Sequence, residues 1–160
     1  PADKLEAILK TVYPDQTDEI EMNAKRYISE LKTLDDEYSN QLARCEQRKI
    51  IVSHDAFNYP AKRYNFEVVE ISGISAESEP SAQKLAQIAR LVKDEQIEYI
   101  FYETLVDPKL AQLIAIETGA STLVLNPIEN LTHQEEEAGE SYLSIMRSNL
   151  DNLKLAMKCQ

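Results

Sequence analysis

Side chains that can bind a cation follow three of the predicted strands in this sequence. They are His54 and Asp55 after the first strand, Glu103 after the third, and Glu129 in the loop after the fourth. In an open parallel sheet the carboxyl ends of the strands meet at one edge, and ligands bind there. An imidazole together with carboxylates favours zinc and neighbouring transition metals, whereas carboxylates alone favour calcium or magnesium. The sequence therefore predicts a divalent-cation site at this edge.

Each of these residues also has a structural explanation, which the sequence alone leaves open. A single histidine at a strand end is often a hydrogen-bonded structural residue. Asp55 directly precedes a helical pattern, where helix capping is a more common role than metal ligation. Glu103 could cap a helix or form a salt bridge, and Glu129 could be a solvated loop residue.

Other kinds of function find less support in the sequence. No GxSxG, HExxH or glycine-rich phosphate loop is present, and three glycines in the whole chain make a nucleotide-binding loop implausible. An α/β enzyme that uses His54 as a base and Glu103 to orient it is the weakest interpretation. The net charge of -11 comes without a basic stripe, which argues against nucleic acid as a partner. His133 stands beside Glu135, Glu136 and Glu137, and such a charge run usually forms a solvated face without a specific partner.

The elements that hold these residues follow from the spacing of the apolar side chains. A helix is predicted over residues 2–12, and one unbroken apolar stripe predicts a second from about residue 18 to about residue 44. At 1.5 Å per residue the second helix is a rod of roughly 40 Å, which we expect to pack along a globular body and not in a coiled coil. No apolar run approaches the roughly 20 residues that a membrane span needs.

After Cys45 short apolar runs alternate with helical patterns, which is typical of a parallel sheet with crossover helices. The predicted strands are residues 49–53, 67–71, 97–102 and 121–125. The predicted helices are residues 56–64, a segment around Leu85 to Val92, a segment between Asp107 and Gly119, and residues 142–157. In the third of these, Asp107 is the predicted N-cap, Pro108 takes the first helical position and Gly119 ends the helix. Residues 72–80 and 126–139 are predicted loops. The fold class is thus α/β: a three-layer lobe with a four-stranded parallel sheet, preceded by a long connecting helix, with domains at 1–46 and 47–160.

Cys45 and Cys159 are far apart in sequence and neither belongs to a CxxC motif, which excludes zinc-ribbon and thioredoxin-like sites. Composition leaves two possibilities, a pair of buried free thiols or one long-range disulfide. Topology favours the disulfide, because Cys45 precedes the first strand at the amino edge of the sheet and the last helix must run back to that edge. Such a bond would lie far from the metal and would persist only in an oxidising compartment.

Several stretches of the sequence resemble one family of proteins. The matching stretches are PDQTDEIEMNAKRYISELKTLDDEY, IVSHDAFNYPAKRYNFEVVEISGISAESEPS, YIFYETLVDPKLAQLIAIETGASTLVLNPIENLT and GESYLSIMRSNLDNLKLAM. The first resembles the rigid helix that joins the two lobes of the extracytoplasmic metal-binding proteins of bacterial zinc or manganese ABC importers. The others resemble the C-terminal lobe of these proteins, so that the likeness covers the chain after Cys45.

This resemblance implies both a function and a set of ligands. Proteins of this family capture zinc or manganese outside the cytoplasm, in the periplasm or as lipoproteins at the cell surface, and pass it to a membrane permease. Four protein ligands come two from each lobe, and those of the second lobe match His54 in SHDAF and Glu129 in NPIENL. We expect Glu103 and Asp55 to lie behind the ligands and to orient them. The histidine at position 54 favours zinc, with manganese second.

The upstream lobe of that family, with its two ligand histidines, is not in this sequence. Two ligands leave a zinc ion half-coordinated, so we expect this chain alone to bind metal far more weakly than a whole protein. The main alternative function is that of a surface adhesin or interaction protein, a role described for members that resemble this family.

Overall fold

The computed structural model describes residues 2–72 and 80–160. The loop predicted over 72–80 therefore lies largely outside the described residues. By the proximity of its residues the chain divides into two compact units, the first ending at Glu37 and the second beginning at Tyr38. The predicted division between domains 1–46 and 47–160 stays a prediction.

The first unit contains two helices and the turn between them. These are α1 (Ala2–Val12), a 3-10 turn (Pro14–Gln16) and the larger part of α2 (Thr17–Gln41). Lys10 joins the two helices, because its Nζ lies 2.6 Å from Glu6 of α1 and 3.1 Å from Glu21 of α2. Three apolar side chains on α1 are more than half exposed: Leu5, Ile8 and Val12.

Within the described residues, four strands of the second unit form one parallel sheet. They are β1 (Lys49–Val52), β2 (Glu67–Glu70), β3 (Tyr99–Tyr102) and β4 (Ser121–Val124), in the spatial order β2-β1-β3-β4. Every neighbouring pair is parallel, which confirms the predicted sheet. The third strand begins later than predicted, since Ile97 donates its N–H to the Val92 carbonyl and so belongs to the turn that ends the preceding helix.

Five further helices lie in the described part of the second unit. They are α3 (Asn58–Tyr64), α4 (Ala82–Asp94), α5 (Lys109–Thr118), α6 (His133–Glu137) and α7 (Tyr142–Met157). On one face, Ile51 and Ile100 of the strands pack with Ile88, Val92 and Ile114 of α4 and α5. Helix α7 packs against β1 and β4 from the other face, which completes the predicted three layers. No helix in the described part of the chain combines the length and the apolar character that crossing a membrane requires.

Three helix ends differ from their predicted positions. Helix α5 has Pro108 and not Asp107 at its N-cap, although Asp107 Oδ1 still accepts the Lys109 N–H at 3.1 Å. Helix α3 begins at Asn58 after Phe57, so Asp55 does not cap it. Helix α2 ends at Gln41, short of residue 44. Beyond that end, the guanidinium group of Arg48 donates to the carbonyls of Leu42 and Ala43, at 2.7 and 2.6 Å, and so supplies hydrogen-bond partners for carbonyls that the helix leaves unpaired.

The predicted loop over residues 126–139 contains a short helix, α6. Its N-terminus is a capping box, in which Thr132 Oγ1 accepts the Glu135 N–H and the Glu135 side chain accepts the Thr132 N–H. The prediction of an uninterrupted loop was wrong because a run of five residues is too short to show helical periodicity.

Cys45 and Cys159 form a disulfide, as the topology predicted, with their Cα atoms 3.9 Å apart and a sequence separation of 114. The two residues also form an isolated antiparallel bridge. The backbone on either side is paired as well, since Gln47 donates to the Met157 carbonyl and Gln160 donates to the Arg44 carbonyl, both at 3.0 Å. The end of the chain is therefore fixed beside the segment that leads into β1.

Candidate metal site

His54 stands at the carboxyl end of β1, the central part of the sheet edge at which the sequence placed a cation. Pairing with β2 continues beyond the strands here, because Ser72 donates its N–H to the Ser53 carbonyl at 2.9 Å. The imidazole is buried, with 7% of the residue exposed. Its Nδ1 contacts Oε1 of Glu103. Within the described residues neither of these two atoms has another partner, so the pair fixes how the ring is turned.

Glu103 follows β3 and is more deeply buried than the histidine, with 3% exposed. Burial raises the pKa of Glu103 above its ordinary value; the charge and hydrogen bonds of His54 oppose this rise, and the charge of Glu129 adds to it. A carboxylate that holds Nδ1 of a histidine leaves Nε2 free to bind a metal, which is the usual arrangement behind a histidine ligand. Glu103 therefore has the position expected of a residue that orients a ligand.

Glu129 approaches the other nitrogen of the same ring. Its Oε1 lies 3.9 Å from His54 Nε2, while 67% of its side chain is exposed. Tetrahedral zinc at about 2 Å from each atom would hold the two donors roughly 3.3 Å apart, so the exposed Glu129 would have to move in by less than about 1 Å. Residues 75 positions apart in sequence are thus brought together at the carboxyl edge of the sheet, as predicted.

Asp55 and His133 make their recorded contacts with residues other than His54 and Glu129. Asp55 is half-buried, and its Oδ1 accepts a hydrogen bond from the side-chain amide of Asn58. Its expected role behind the ligands stays a prediction. His133 is exposed and lies 3.4 Å from Glu137 on the same turn of α6, in agreement with the expected solvated face.

Glu135 departs from the prediction made for its charge run. It accepts hydrogen bonds from Asn126 Nδ2 at 2.9 Å and from the Thr132 N–H at 2.7 Å, and both partners lie in the loop that carries Glu129. The sequence did contain a signal, because Thr followed three residues later by Glu is the pattern of a capping box. Asn149 of α7 bonds to the backbone of Asn126. No sequence pattern pointed to this contact.

The described residues bring two candidate ligands together, which is fewer than a zinc site needs. Across residues 2–72 and 80–160, no three side chains of His, Cys, Asp or Glu are grouped so that they could hold a metal ion. Zinc in proteins is almost always bound by four ligands, or by three and a water molecule. As candidate ligands, His54 and Glu129 therefore need further partners to complete a zinc site.

Comparison with curated proteins gives zinc-binding relatives that are longer than this chain. The chain is 42% identical over 146 residues to the zinc-binding lipoprotein AdcA of Streptococcus pneumoniae, which covers 91% of this chain and 29% of that protein. It is 39% identical over 141 residues to the high-affinity zinc uptake system protein ZnuA of Bacillus subtilis, covering 88% of this chain and 44% of that protein. The chain thus spans less than half the length of these curated relatives.

Solved structures share the fold. The Zn(II)-bound ZnuA-like domain of Streptococcus pneumoniae AdcA matches with a TM-score of 0.80 and 40% identity, over 95% of this chain and 57% of that chain. The laminin-binding protein Lmb of Streptococcus agalactiae, described as having adhesin and metal-transporting activity, matches with a TM-score of 0.85 and 33% identity, over 95% of this chain and 58% of that chain.

A family model matches almost the whole sequence, from residue 2 to residue 156, and its description is zinc-uptake complex component A, periplasmic. The match includes the sheet, the long helix and both residues of the candidate site. The chain belongs to the ZnuA family of periplasmic zinc-uptake components.

Proposed function

We propose that this chain is the C-terminal lobe of an extracytoplasmic protein that captures zinc and delivers it to the permease of an ABC importer. One observation carries the proposal: the free Nε2 of a buried, oriented histidine faces an exposed carboxylate across 3.9 Å. Zinc is the cargo of this protein, with manganese as the second choice.

The two side chains suit reversible binding of zinc. Imidazole nitrogen and carboxylate oxygen are both common zinc ligands, and the nitrogen disfavours calcium and magnesium, which prefer oxygen. His54 is held in place by Glu103, whereas Glu129 is solvent-exposed. A site with one fixed and one exposed ligand can form around an arriving ion and open again on its release.

The remaining ligands belong to a second lobe in this proposal. The lengths of the relatives support it, since the chain covers 57% of the zinc-bound AdcA domain and 44% of the Bacillus subtilis ZnuA. The exposed apolar stripe of α1 also supports it, because a helix with such a stripe normally packs against another element. The metal would then be bound between the two lobes.

The location outside the cytoplasm has two supports. The family is described as periplasmic, and AdcA of Streptococcus pneumoniae is a lipoprotein. Independently, the disulfide between Cys45 and Cys159 is of a kind that persists in oxidising compartments and is rare in the cytosol.

Zinc titration of the full-length protein tests the proposal. A ligand that binds only the folded state raises the melting temperature, so zinc should do so in the wild-type protein. His54→Ala and Glu129→Gln should reduce that rise and weaken zinc binding measured by calorimetry. The chain has two histidines, and His133→Ala is the matched control that should bind zinc like the wild type. Equal binding by His54→Ala and His133→Ala would exclude His54 as a ligand.

Adhesion is the second candidate function. It is favoured by the structural relatives described as laminin-binding proteins, one from Streptococcus pyogenes with 34% identity and a TM-score of 0.83, and Lmb of Streptococcus agalactiae. Binding of the full-length protein to immobilised laminin, compared with an albumin-coated surface, tests this function. Equal retention on the two surfaces would exclude it without bearing on zinc.

A further inference from the structure

The first residue of the loop that carries Glu129 is held by a side chain of helix α7. Asn149 of α7 accepts the Asn126 N–H on its Oδ1 at 2.9 Å and donates from its Nδ2 to the Asn126 carbonyl at 2.7 Å. Both residues are buried. The side chain of Asn149 therefore bonds to Asn126 as a neighbouring strand would, and it holds the chain at the point where β4 ends.

The next turn of the loop has a conformation that its residue type disfavours. Ile128 has a φ of 61°, in the left-handed region, which is a genuine outlier for a β-branched residue. Its N–H is held by Asn126 Oδ1 at 2.7 Å. This turn determines the direction in which the following residue, Glu129, leaves the backbone.

Glu135 closes the same loop from α6. Its Oε1 accepts a hydrogen bond from Asn126 Nδ2 at 2.9 Å, and its Oε2 accepts one from the Thr132 N–H at 2.7 Å. One carboxylate thus binds both the first residue of the loop and the residue that begins α6. Hydrogen bonds to a charged acceptor are about twice as strong as neutral ones, so this contact is well suited to hold a loop.

We propose that Glu135 and Asn126 are positioning residues for the metal-binding carboxylate of Glu129, so that zinc affinity depends on α6 as well as on the ligands. The proposal rests on the proposed function, in which Glu129 binds zinc. Glu129 itself is an exposed side chain, and only its backbone can be fixed in advance. If the turn at Ile128 relaxes, the carboxylate moves away from His54, and zinc has to order the loop before it can bind.

A double-mutant cycle in the full-length protein tests this coupling. In Glu135→Gln the amide accepts only one of the two hydrogen bonds, and in Asn126→Asp two carboxylates face each other. Each change should weaken zinc binding about tenfold, the lower end of what loss of a partner behind a ligand does. The double variant restores the contact in reverse, since the amide of Gln at 135 donates to the carboxylate of Asp at 126. It should bind zinc within about threefold of the wild type.

Matched neighbours separate positioning from general damage. Glu136→Gln and Glu137→Gln alter exposed carboxylates on the same helix and should leave zinc affinity unchanged. Melting temperatures of the metal-free variants are measured alongside, because a purely structural role would lower them without changing affinity. Wild-type affinity in Glu135→Gln, or additive losses in the double variant, would overturn the positioning role. Unchanged affinity in Glu129→Gln would instead overturn the proposed function itself.

Discussion

At the scale of single residues, the contact between His54 and Glu103 joins two buried polar groups at the end of the sheet. An unpaired polar group in such a place costs about 1 to 3 kcal/mol, so each of the two stabilises the other. The same contact leaves Nε2 facing Glu129. The position of Glu103 therefore serves both the stability of the strand ends and the orientation of the imidazole.

The first prediction concerns Glu103. Glu103→Gln keeps the size of the side chain but removes the charge that orients and polarises the imidazole, so zinc affinity of the full-length protein should fall about tenfold without being lost. His54→Ala, in contrast, should lose the ligand. Calorimetric titration with zinc measures the affinity of both variants, and Glu117→Gln, which changes an exposed carboxylate, is the control. Wild-type affinity in Glu103→Gln would show that the carboxylate has no part in the site.

The second prediction concerns Tyr38, which is almost fully buried and donates its hydroxyl to the Met146 carbonyl at 2.6 Å. Burial raises the pKa of this phenol far above its ordinary value, so the hydroxyl remains a donor at all ordinary pH values. Tyr38→Phe keeps the ring and removes one hydrogen bond, and it should lower the free energy of unfolding by about 1 kcal/mol. Urea denaturation measures the change. An unchanged midpoint would mean that the bond does not stabilise the fold.

At the scale of elements, most of the fold was predictable from the alternation of apolar runs with helical patterns and from the residues that end each element. The strands were short apolar runs, and Gly119 marked the end of α5 because its φ of 79° is readily accessible only to glycine. The proximity of His54 and Glu129 followed from the rule that parallel strands end at one edge. The loop contacts did not follow, since Asn149 reaches Asn126 through side-chain bonds that leave no periodic pattern in sequence.

The third prediction isolates the backbone effect at Gly119. A Cβ built there meets nothing within 4 Å, so Gly119→Ala adds no clash and its effect comes only from the left-handed conformation. The free energy of unfolding should fall by about 1 to 2 kcal/mol. Gly119→Asn should lose less, because asparagine tolerates this region better than alanine. Equal losses in the two variants would contradict a conformational cause.

The fourth prediction follows from the pKa of Glu135. The Thr132 N–H lowers this pKa below its ordinary value of 4.5, and the Thr132 and Asn126 side chains add to the effect against the opposing desolvation. A lowered pKa in the folded state stabilises the fold above the unfolded value, and this stability is lost as the pH falls through the folded pKa. The wild type should therefore exceed Glu135→Gln in stability at neutral pH, and the difference should shrink as the pH falls below about 4.5.

Urea denaturation across that pH range measures the effect. Glu136→Gln provides the baseline for loss of one exposed carboxylate on the same helix. A difference between wild type and Glu135→Gln that stays constant down to about pH 3 would contradict a lowered pKa at Glu135.

At the scale of the whole molecule, the disulfide was predictable because it depends only on topology. Any parallel sheet followed by a final helix on one face returns the chain to the amino edge, and Cys45 was already there. The candidate metal site was predictable as one pair, His54 and Glu129, because both follow strands that end at the same edge of the sheet.

The fifth prediction concerns loss of that disulfide. The bond closes a loop with a sequence separation of 114, for which the chain-entropy model gives about 4 to 5 kcal/mol. The double variant Cys45→Ser, Cys159→Ser should lower the free energy of unfolding by about this amount, and so should reduction of the wild type. Neither change alters the candidate ligands His54 and Glu129. Denaturation with and without reductant measures it. Identical curves, or an intact mass without the two-hydrogen deficit, would show that the bond is absent or has little effect on stability.

The bridge between Cys45 and Cys159 also closes residues 45–159 into a covalent ring. The ring encloses His54, Glu103 and Glu129, whereas α1 and α2 lie outside it. A protease that cuts one peptide bond inside the ring opens it but releases nothing, and both candidate ligands stay on one molecule. A cut in the helices before Cys45 frees a piece at once. Electrophoresis of nicked protein, run with and without reductant, therefore reports on which side of Cys45 each cleavage falls.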